Sequence, residues 1–376
     1  MHHPSNSFSF ADLHAELLER QSRKLVKLVR APDNENIVLF CYTKTAAFDV
    51  AWDPVVELAR GLVLDVVKQR VLARPFPKFF NHGERSAALP DEPFQVQEKL
   101  DGSLGIVFHD GKRWRVATKG SFIAEQSAWA EEWLSKRDIS VLTEGSTYLF
   151  EIIYTTNRVV IKYDFEGLVL LGAYDAAGAE FARPALVDLA AALSTRVCDV
   201  HEFSSIEEVL GVAAGYAADK EGFVVRFESG YRVKIKGAAY LRIHRLISRV
   251  TPIAIWEALS NGDNLDAIRK EIPEEFWADF DQIRQLLVDK FDEIVKAVDL
   301  EKAVWKDKTD KEVGLGLSKI QSPVNSLIFS ARKEGDKWAS AAKVRATIFR
   351  GIRPTGNVLL GYEPSQKIER VQNEAG

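Results

Sequence analysis

The sequence predicts an α+β protein, with a domain of antiparallel sheets and flanking helices followed by a mainly helical C-terminal domain. Three observations carry that reading. Short period-two runs of aliphatic and aromatic residues crowd residues 36–236. From Tyr240 onward apolar residues recur at helical spacing. The chain has 376 residues, 46% hydrophobic and 28% charged, which is enough for two cores. The composition shift near residues 245–255 divides the chain into 1–245 and 246–376.

The elements follow in order. Residues 8–30 read as an amphipathic helix anchored by Leu13, Leu17, Leu25 and Leu28. Strands are expected at Ile37–Tyr42, Leu62–Val67, Val71–Ala73, Phe94–Glu98 and Leu104–Phe108. Ser121–Lys136 reads as a helix, and Trp129 and Trp133, four apart, share a face suited to core packing. Strands resume at Tyr148–Tyr154, Val159–Lys162 and Leu168–Tyr174, and Pro184–Ser194 is a helix. Gly222–Phe227 and Tyr231–Lys236 form a hairpin through Glu228-Ser229-Gly230. Helices are then expected at 253–260, 264–271, 274–298, 324–334 and 337–349.

Charge is unevenly spread. The formal net charge of −4 argues against nucleic acid only as an average. Residues 231–250 carry Arg232, Lys234, Lys236, Arg242, Arg245 and Arg249 and no acid. Residues 313–353 hold eight Lys/Arg, whereas residues 257–301 hold thirteen acids against five Lys/Arg. Local basic surface is what binds phosphate; the acidic block reads as a solvated helix face. Cys41 and Cys198 are too few and too scattered for a disulfide framework and suit a reducing compartment. No apolar run approaches the length of a membrane span, and the N-terminus lacks a signal-peptide layout, so a cytoplasmic location is expected. The seven histidines show no metal-ligand spacing, and no Gly-x-x-x-x-Gly-Lys-Ser/Thr loop is present.

The chemistry concentrates around Glu98-Lys99-Leu100-Asp101-Gly102-Ser103. Lys99 ends an alternating run, so it sits on a rigid element, and Gly102 lets the backbone turn closely. Such a lysine can attack an electrophilic phosphorus. Free lysine has a pKa near ~10.4, so neighbouring cations and desolvation are expected to lower it. Glu151 lies inside the apolar run Leu149–Ile153, Glu221-Gly222 opens another strand, and Lys119 falls in a turn-like Thr118-Lys119-Gly120. In Arg232-Val233-Lys234-Ile235-Lys236 the apolar pair faces a core and the three cations share the other face. Each feature alone has a plain alternative: a surface lysine, a buried structural acid, an exposed strand face.

The ordered set Lys-x-Asp-Gly, Phe-Glu, Glu-Gly, Lys-x-Lys over residues 99–236 resembles the covalent nucleotidyltransferases: DNA ligases, RNA ligases and mRNA capping enzymes. Ala59-Arg60-Gly61-Leu62-Val63-Leu64-Asp65, Pro77-Lys78-Phe79-Phe80-Asn81-His82-Gly83-Glu84 and Tyr240 make the phage RNA ligase 1 type the nearer resemblance, over about residues 40–245. The resemblance implies a ligase-type nucleotidyltransferase domain and an ATP-dependent RNA ligase. Lys99 would form a covalent lysyl–AMP, pass AMP to an RNA 5′-phosphate, and a 3′-hydroxyl would displace it. It further implies that Lys234 and Lys236 grip phosphates and that Glu221, with Asp101, holds Mg²⁺ (or Mn²⁺) through water. Glu151 would contact the ribose, and Gly102 and Gly222 would allow close approach to the nucleotide. Arg60, Lys78, Tyr240 and Tyr42 would engage outer phosphates, with Lys119 and Phe80 beside the nucleotide. The helical tail suits that family better than the small β-barrel of DNA ligases, and its basic content suggests a part in choosing the RNA. The implied partners are RNA with 5′-phosphate and 3′-hydroxyl ends, tRNA among them, and a separate end-healing kinase or phosphatase, in a bacterial or phage-infected cell. The alternatives are another covalent nucleotidyltransferase or a non-catalytic RNA-binding protein on the same fold.

Overall fold

The computed structural model describes residues 1–49, 51–85, 88–157, 160–365 and 368. It divides into two compact units, Met1–Arg242 and Ile243–Ala375. The first strands are β1 (Val26–Ala31), β2 (Asn34–Tyr42), β3 (Arg60–Asp65) and β4 (Arg70–Ala73), which pair in that order as an antiparallel sheet. Next come β5 (Phe80–Asn81), β6 (Phe94–Lys99), β7 (Ser103–His109) and β8 (Trp114–Ala117). They are followed by β9 (Thr147–Ile153), β10 (Gly167–Tyr174), β11 (Arg196–Val197), β12 (Val200–His201), β13 (Gly222–Phe227) and β14 (Arg232–Lys236). A second sheet has the order β11-β10-β9-β7-β8 and a third β12-β6-β13-β14-β5. Both are antiparallel apart from the short pairs β10–β11 and β14–β5.

Alternation along β2 decides the packing. Val38 and Phe40 point to a core shared with helices α1 (Phe10–Ser22), α2 (Lys44–Phe48) and α3 (Pro54–Leu58). Ile37, Leu39 and Cys41 point the other way, against Ile106, Phe108 and Leu149 of the second sheet. The opposite face of that second sheet is covered by α4 (Glu125–Ser135) and α5 (Arg183–Ala192). There Trp129 and Trp133 pack on the core as expected, with Trp129 stacked on Tyr154 at 4.6 Å. The third sheet buries Val225, Val233 and Ile235 against α6 (Ile206–Ala214).

Helix α7 (Ala238–Ser248) passes from the first unit into the second. The second unit is built from α8 (Pro252–Asn261), α9 (Leu265–Glu271), α10 (Trp277–Val304), α11 (Asp310–Gly316), α12 (Val324–Glu334) and α13 (Ala342–Gly351). Its core gathers Val298, Leu327, Ala331, Trp338, Val344 and Ile348 around the 28-residue α10. Among the described residues no helix is long and apolar enough to cross a membrane.

Several expectations are corrected. The N-terminal helix ends at Ser22, capped through Arg23, and Lys24 turns with φ 62 into β1. Leu25 and Leu28 had the helical spacing, but sheet pairing of Leu28 with Phe40 outcompetes it. Of the strand expected at Val159–Lys162, Val159 lies outside the described residues and Val160–Lys162 are irregular. The amides of Val160 and Ile161 donate to the Asp101 carboxylate, both at 2.8 Å, instead of to a ladder. The helix expected at 337–349 is a 3₁₀ stretch, Gly335–Ser340, and then α13. The sequence reading missed β1, β5, β8, β11, β12, α2, α3, α6 and α11, and did not delimit α7.

Candidate active site

Strand register builds the centre of the site. Gly222 of β13 lies opposite Lys99 of β6 on one side and Lys236 of β14 on the other. Three neighbouring strands therefore bring the two lysines to one spot, with Glu221 at the mouth of β13. The Glu221 carboxylate is buried and accepts from Lys99 Nζ at 2.7 Å and from Lys236 Nζ at 2.9 Å. Gly222 has φ +135, and a Cβ there would lie 2.0 Å from the Ile235 carbonyl oxygen. Glycine is thus demanded by the neighbouring strand, a reason separate from room for a nucleotide. Gly102 is similar, since a Cβ would lie 2.6 Å from the Ile152 carbonyl oxygen of β9.

The turn after Lys99 joins the third sheet to the second. Gly102 N–H donates to Glu151 Oε1 at 2.9 Å, tying the turn to β9. Asp101 is buried; besides the two amides of 160–161 it accepts from the Tyr240 hydroxyl at 2.8 Å. Its amide donates to the Tyr163 hydroxyl at 2.8 Å. The carboxylate so engaged is a structural clamp in this state, and Tyr240, 1% exposed, is held in that clamp with Lys236 over its ring at 5.3 Å. Burial, and then the charge of Glu221, push the Asp101 pKa up.

Electrostatics overturn the expectation that Lys99 is held at a lowered pKa. Burial alone would lower it, but Glu221, Glu151 and Asp101 outweigh burial and push Lys99 up to about 12. Burial would raise Glu221, and Lys99 with Lys236 hold it below the usual carboxylate value. Lys234, by contrast, is strongly depressed. Burial pulls it well below the ordinary value, helped by the charges of Lys78, Lys99, Arg60 and Lys236. Among the described residues its ammonium makes no hydrogen bond or ion pair; it lies over the Phe79 ring at 4.9 Å. Arg232, expected to share that phosphate-facing row, is instead buried against Glu180.

The remaining cations gather around Lys234. Cys41 pairs with Arg60 across β2 and β3, which sets Tyr42 beside Arg60. The Arg60 guanidinium lies 5.4 Å over Phe79 and donates to the Phe76 carbonyl at 3.2 Å. Lys78 Nζ is enclosed by the rings of Tyr42, Trp52 and Phe80 at 5.7, 5.2 and 5.3 Å, and burial lowers its pKa. Lys119 Nζ lies 5.1 Å over Tyr42 and 3.4 Å from its hydroxyl. Trp52 and Phe79 were not singled out from sequence. Phe79 lies within the run Pro77–Glu84; Trp52 carries no local signal. Among the described residues no group of three or more His, Cys, Asp or Glu side chains is placed to hold a metal by itself. A hard cation arriving with a polyphosphate needs only one or two carboxylates, and Glu221 fits that need.

Residues 58–240 match the family model described as RNA ligase. A protein provisionally named a bifunctional polynucleotide kinase/RNA ligase, from Autographa californica nuclear polyhedrosis virus, is 26% identical over 245 residues, covering 57% of this chain and 34% of the relative. RNA ligase 1 of bacteriophage TS2126 is 27% identical over 231 residues, covering 55% of this chain and 58% of the phage protein. The RNA ligase of Rhodothermus phage RM378 is 24% identical over 329 residues, covering 66% and 71%. The match thus spans only about a third to three fifths of three of the curated relatives. An archaeal ATP-dependent RNA ligase structure superposes with a TM-score of 0.47 at 16% identity, covering 64% of this chain and 68% of that one.

Proposed function

This chain belongs, through residues 58–240, to the phage-type RNA ligase family, and from that premise we propose that it is an ATP-dependent RNA ligase. The observation that carries the proposal is the register that sets Lys99 and Lys236 on either side of Gly222, with Glu221 bridging both. Beside it, Lys234, Lys78, Arg60 and Lys119 supply positive charge suited to a triphosphate.

A lysine with a pKa of about 12 has a free lone pair in roughly one molecule in a hundred thousand at pH 7. ATP arrival must therefore loosen the Lys99–Glu221 pair, 2.7 Å apart, so that Lys99 loses its raising partner and can give its proton to solvent. Lys99 Nζ then attacks the α-phosphorus; a P–N bond forms, the P–O bond to the β-phosphate breaks, and pyrophosphate leaves with the electron pair. Lys234, short of a counter-ion, receives charge developing on the phosphates, and Lys78 and Arg60 hold the outer ones. Glu151 reads the ribose, and Asp101 with Tyr240 fixes the turn that carries Lys99. Mg²⁺, with Mn²⁺ as an alternative, would be held by Glu221 and would neutralise triphosphate charge. AMP then passes to an RNA 5′-phosphate and is displaced by a 3′-hydroxyl. The helical unit, basic over residues 313–353, contributes to RNA choice, tRNA included, and a separate kinase or phosphatase heals ends that lack the required groups.

The test is incubation with Mg²⁺ and α-³²P-labelled ATP after pyrophosphate stripping, beside Lys99→Ala. Label on the denatured wild type only, chased onto 5′-phosphate RNA in preference to nicked DNA, is the expected result. Persistent absence of label sinks the ligase reading; preference for GTP or for nicked DNA moves it to a capping enzyme or DNA ligase.

A further inference from the structure

The first unit holds a second cleft, of about 570 Å³, lined among others by Phe8, Phe10, Arg70, Arg74, His109 and Glu144. It lies at the far end of β7, the strand that follows the turn at Gly102. Strand β7 starts at Ser103, next to Gly102, and ends at His109 in the cleft wall; six residue steps are about 20 Å. Its size falls within the range of small-molecule pockets, about 300–1,000 Å³.

The side chain without an account is Arg74. Its backbone is fixed where Arg74 N–H donates to Thr147 Oγ1 at 2.9 Å. Its Nε is buried with no hydrogen-bond partner. Among the described residues its guanidinium makes no hydrogen bond or ion pair, and burial lowers its pKa with only Asp175 opposing. Buried guanidinium groups are ordinarily forked onto a carboxylate or phosphate. Here Arg115 shows the ordinary case, paired with Asp33 and Asp110. Arg70 adds a second cation, held only loosely by Asp65 at 4.0 Å. The one acid in the wall, Glu144, is 74% exposed and lies 3.5 Å from His109 Nδ1, so it turns to the histidine. Half-buried Phe8 and Phe10 add aromatic rings to the same lining. An anion joined to a flat ring matches this pairing.

We propose that the cleft binds a nucleotide unit, its phosphate on Arg74 and Arg70 and its base against Phe8 and Phe10. The nucleotide is either free or part of an RNA strand; both present the same chemistry. The site does not depend on adenylylation of Lys99.

The test is photolabelling of the full chain with 8-azido-AMP, and with a 5′-phosphorylated RNA pentamer carrying one 8-azidoadenosine, followed by peptide mapping. Label is expected on peptides containing Phe8–Leu13 or Val71–Arg74. It should fall at least tenfold in Arg74→Gln and severalfold in Arg70→Gln, with label near Lys99 unchanged. Labelling of the cleft by the pentamer alone assigns it to RNA; equal labelling by the mononucleotide assigns it to the free ligand; both uphold the site. Label confined to peptides bearing Lys99 or Glu151, or cleft label indifferent to both substitutions, overturns it. Should Arg74→Gln lose the Lys99-region label as well, the exposed Arg70→Gln decides.

Discussion

Two clusters of lysines lie side by side in the first unit and are built in opposite ways. Lys99 and Lys236 share one buried carboxylate, Glu221, and form a closed, charge-compensated group. Lys234 and Lys78 have aromatic rings around them and no carboxylate at hydrogen-bond distance among the described residues. The first arrangement holds Lys99, the proposed nucleophile, in place while keeping it protonated. The second holds cations at an electrostatic cost that an incoming anion removes. Pre-organised charge of this kind is destabilising in the free protein and useful in the bound one.

The largest expected effects concern activity. Lys99→Ala should bring lysyl–AMP formation to background, read by retention of label. Lys234→Met should lower the adenylylation rate about 100-fold or more, as loss of a charge-stabilising group does. The two sites should part in thermal unfolding. Lys99→Met leaves Glu221 buried with one partner and should cost about 2–4 kcal/mol. Lys234→Met removes an uncompensated cation and should stabilise by about 1–3 kcal/mol. A fall in melting temperature for both would erase the distinction between the clusters. Pyrophosphate should stabilise the wild type by mass action and Lys234→Met much less.

The pH dependence has opposite signs at the two places. Lys99 is raised in the folded state, to about 12 from 10.5. Its contribution to stability is complete below 10.5 and is lost as pH rises through 12. Lys234 is lowered, so its cost is full at low pH and is relieved as pH rises toward 10.5. Glu221→Gln should accordingly shift the rising limb of the adenylylation rate to lower pH, because the anion that raises Lys99 is gone.

Smaller effects sharpen the picture. Gly222→Ala places a Cβ against the Ile235 carbonyl in a backbone conformation foreign to alanine and should destabilise by about 2–3 kcal/mol in denaturant titration. Trp52→Ala removes one wall of the Lys78 cage and should raise the KM for ATP by about 3- to 10-fold, as a cation–π loss of about 1 kcal/mol does, with kcat little changed.

Much of this site was legible because its residues sit on short strands whose period-two pattern fixes which side chains face together. Phe94–Lys99 and Arg232–Lys236 were read within a residue of their observed ends. What sequence could not show was the sign of the shift at Lys99. The deciding carboxylate arrives from 122 residues away, and only strand register reveals that it touches Lys99 and Lys236 together. Arg232 looked like part of the same basic row until Glu180 claimed it. Trp52 entered the cage through folding alone. In the N-terminal stretch, leucine spacing favoured helix over 25–30, and pairing with β2 overrode that local preference.

The most direct measurement is a pH titration of the lysine side chains by NMR in the free protein, with Lys99→Met and Lys234→Met to assign the two signals. The account predicts that Lys99 titrates near 12 and Lys234 well below 10.5, with Lys234 moving upward when pyrophosphate binds. Lys99 titrating below Lys234 would contradict it.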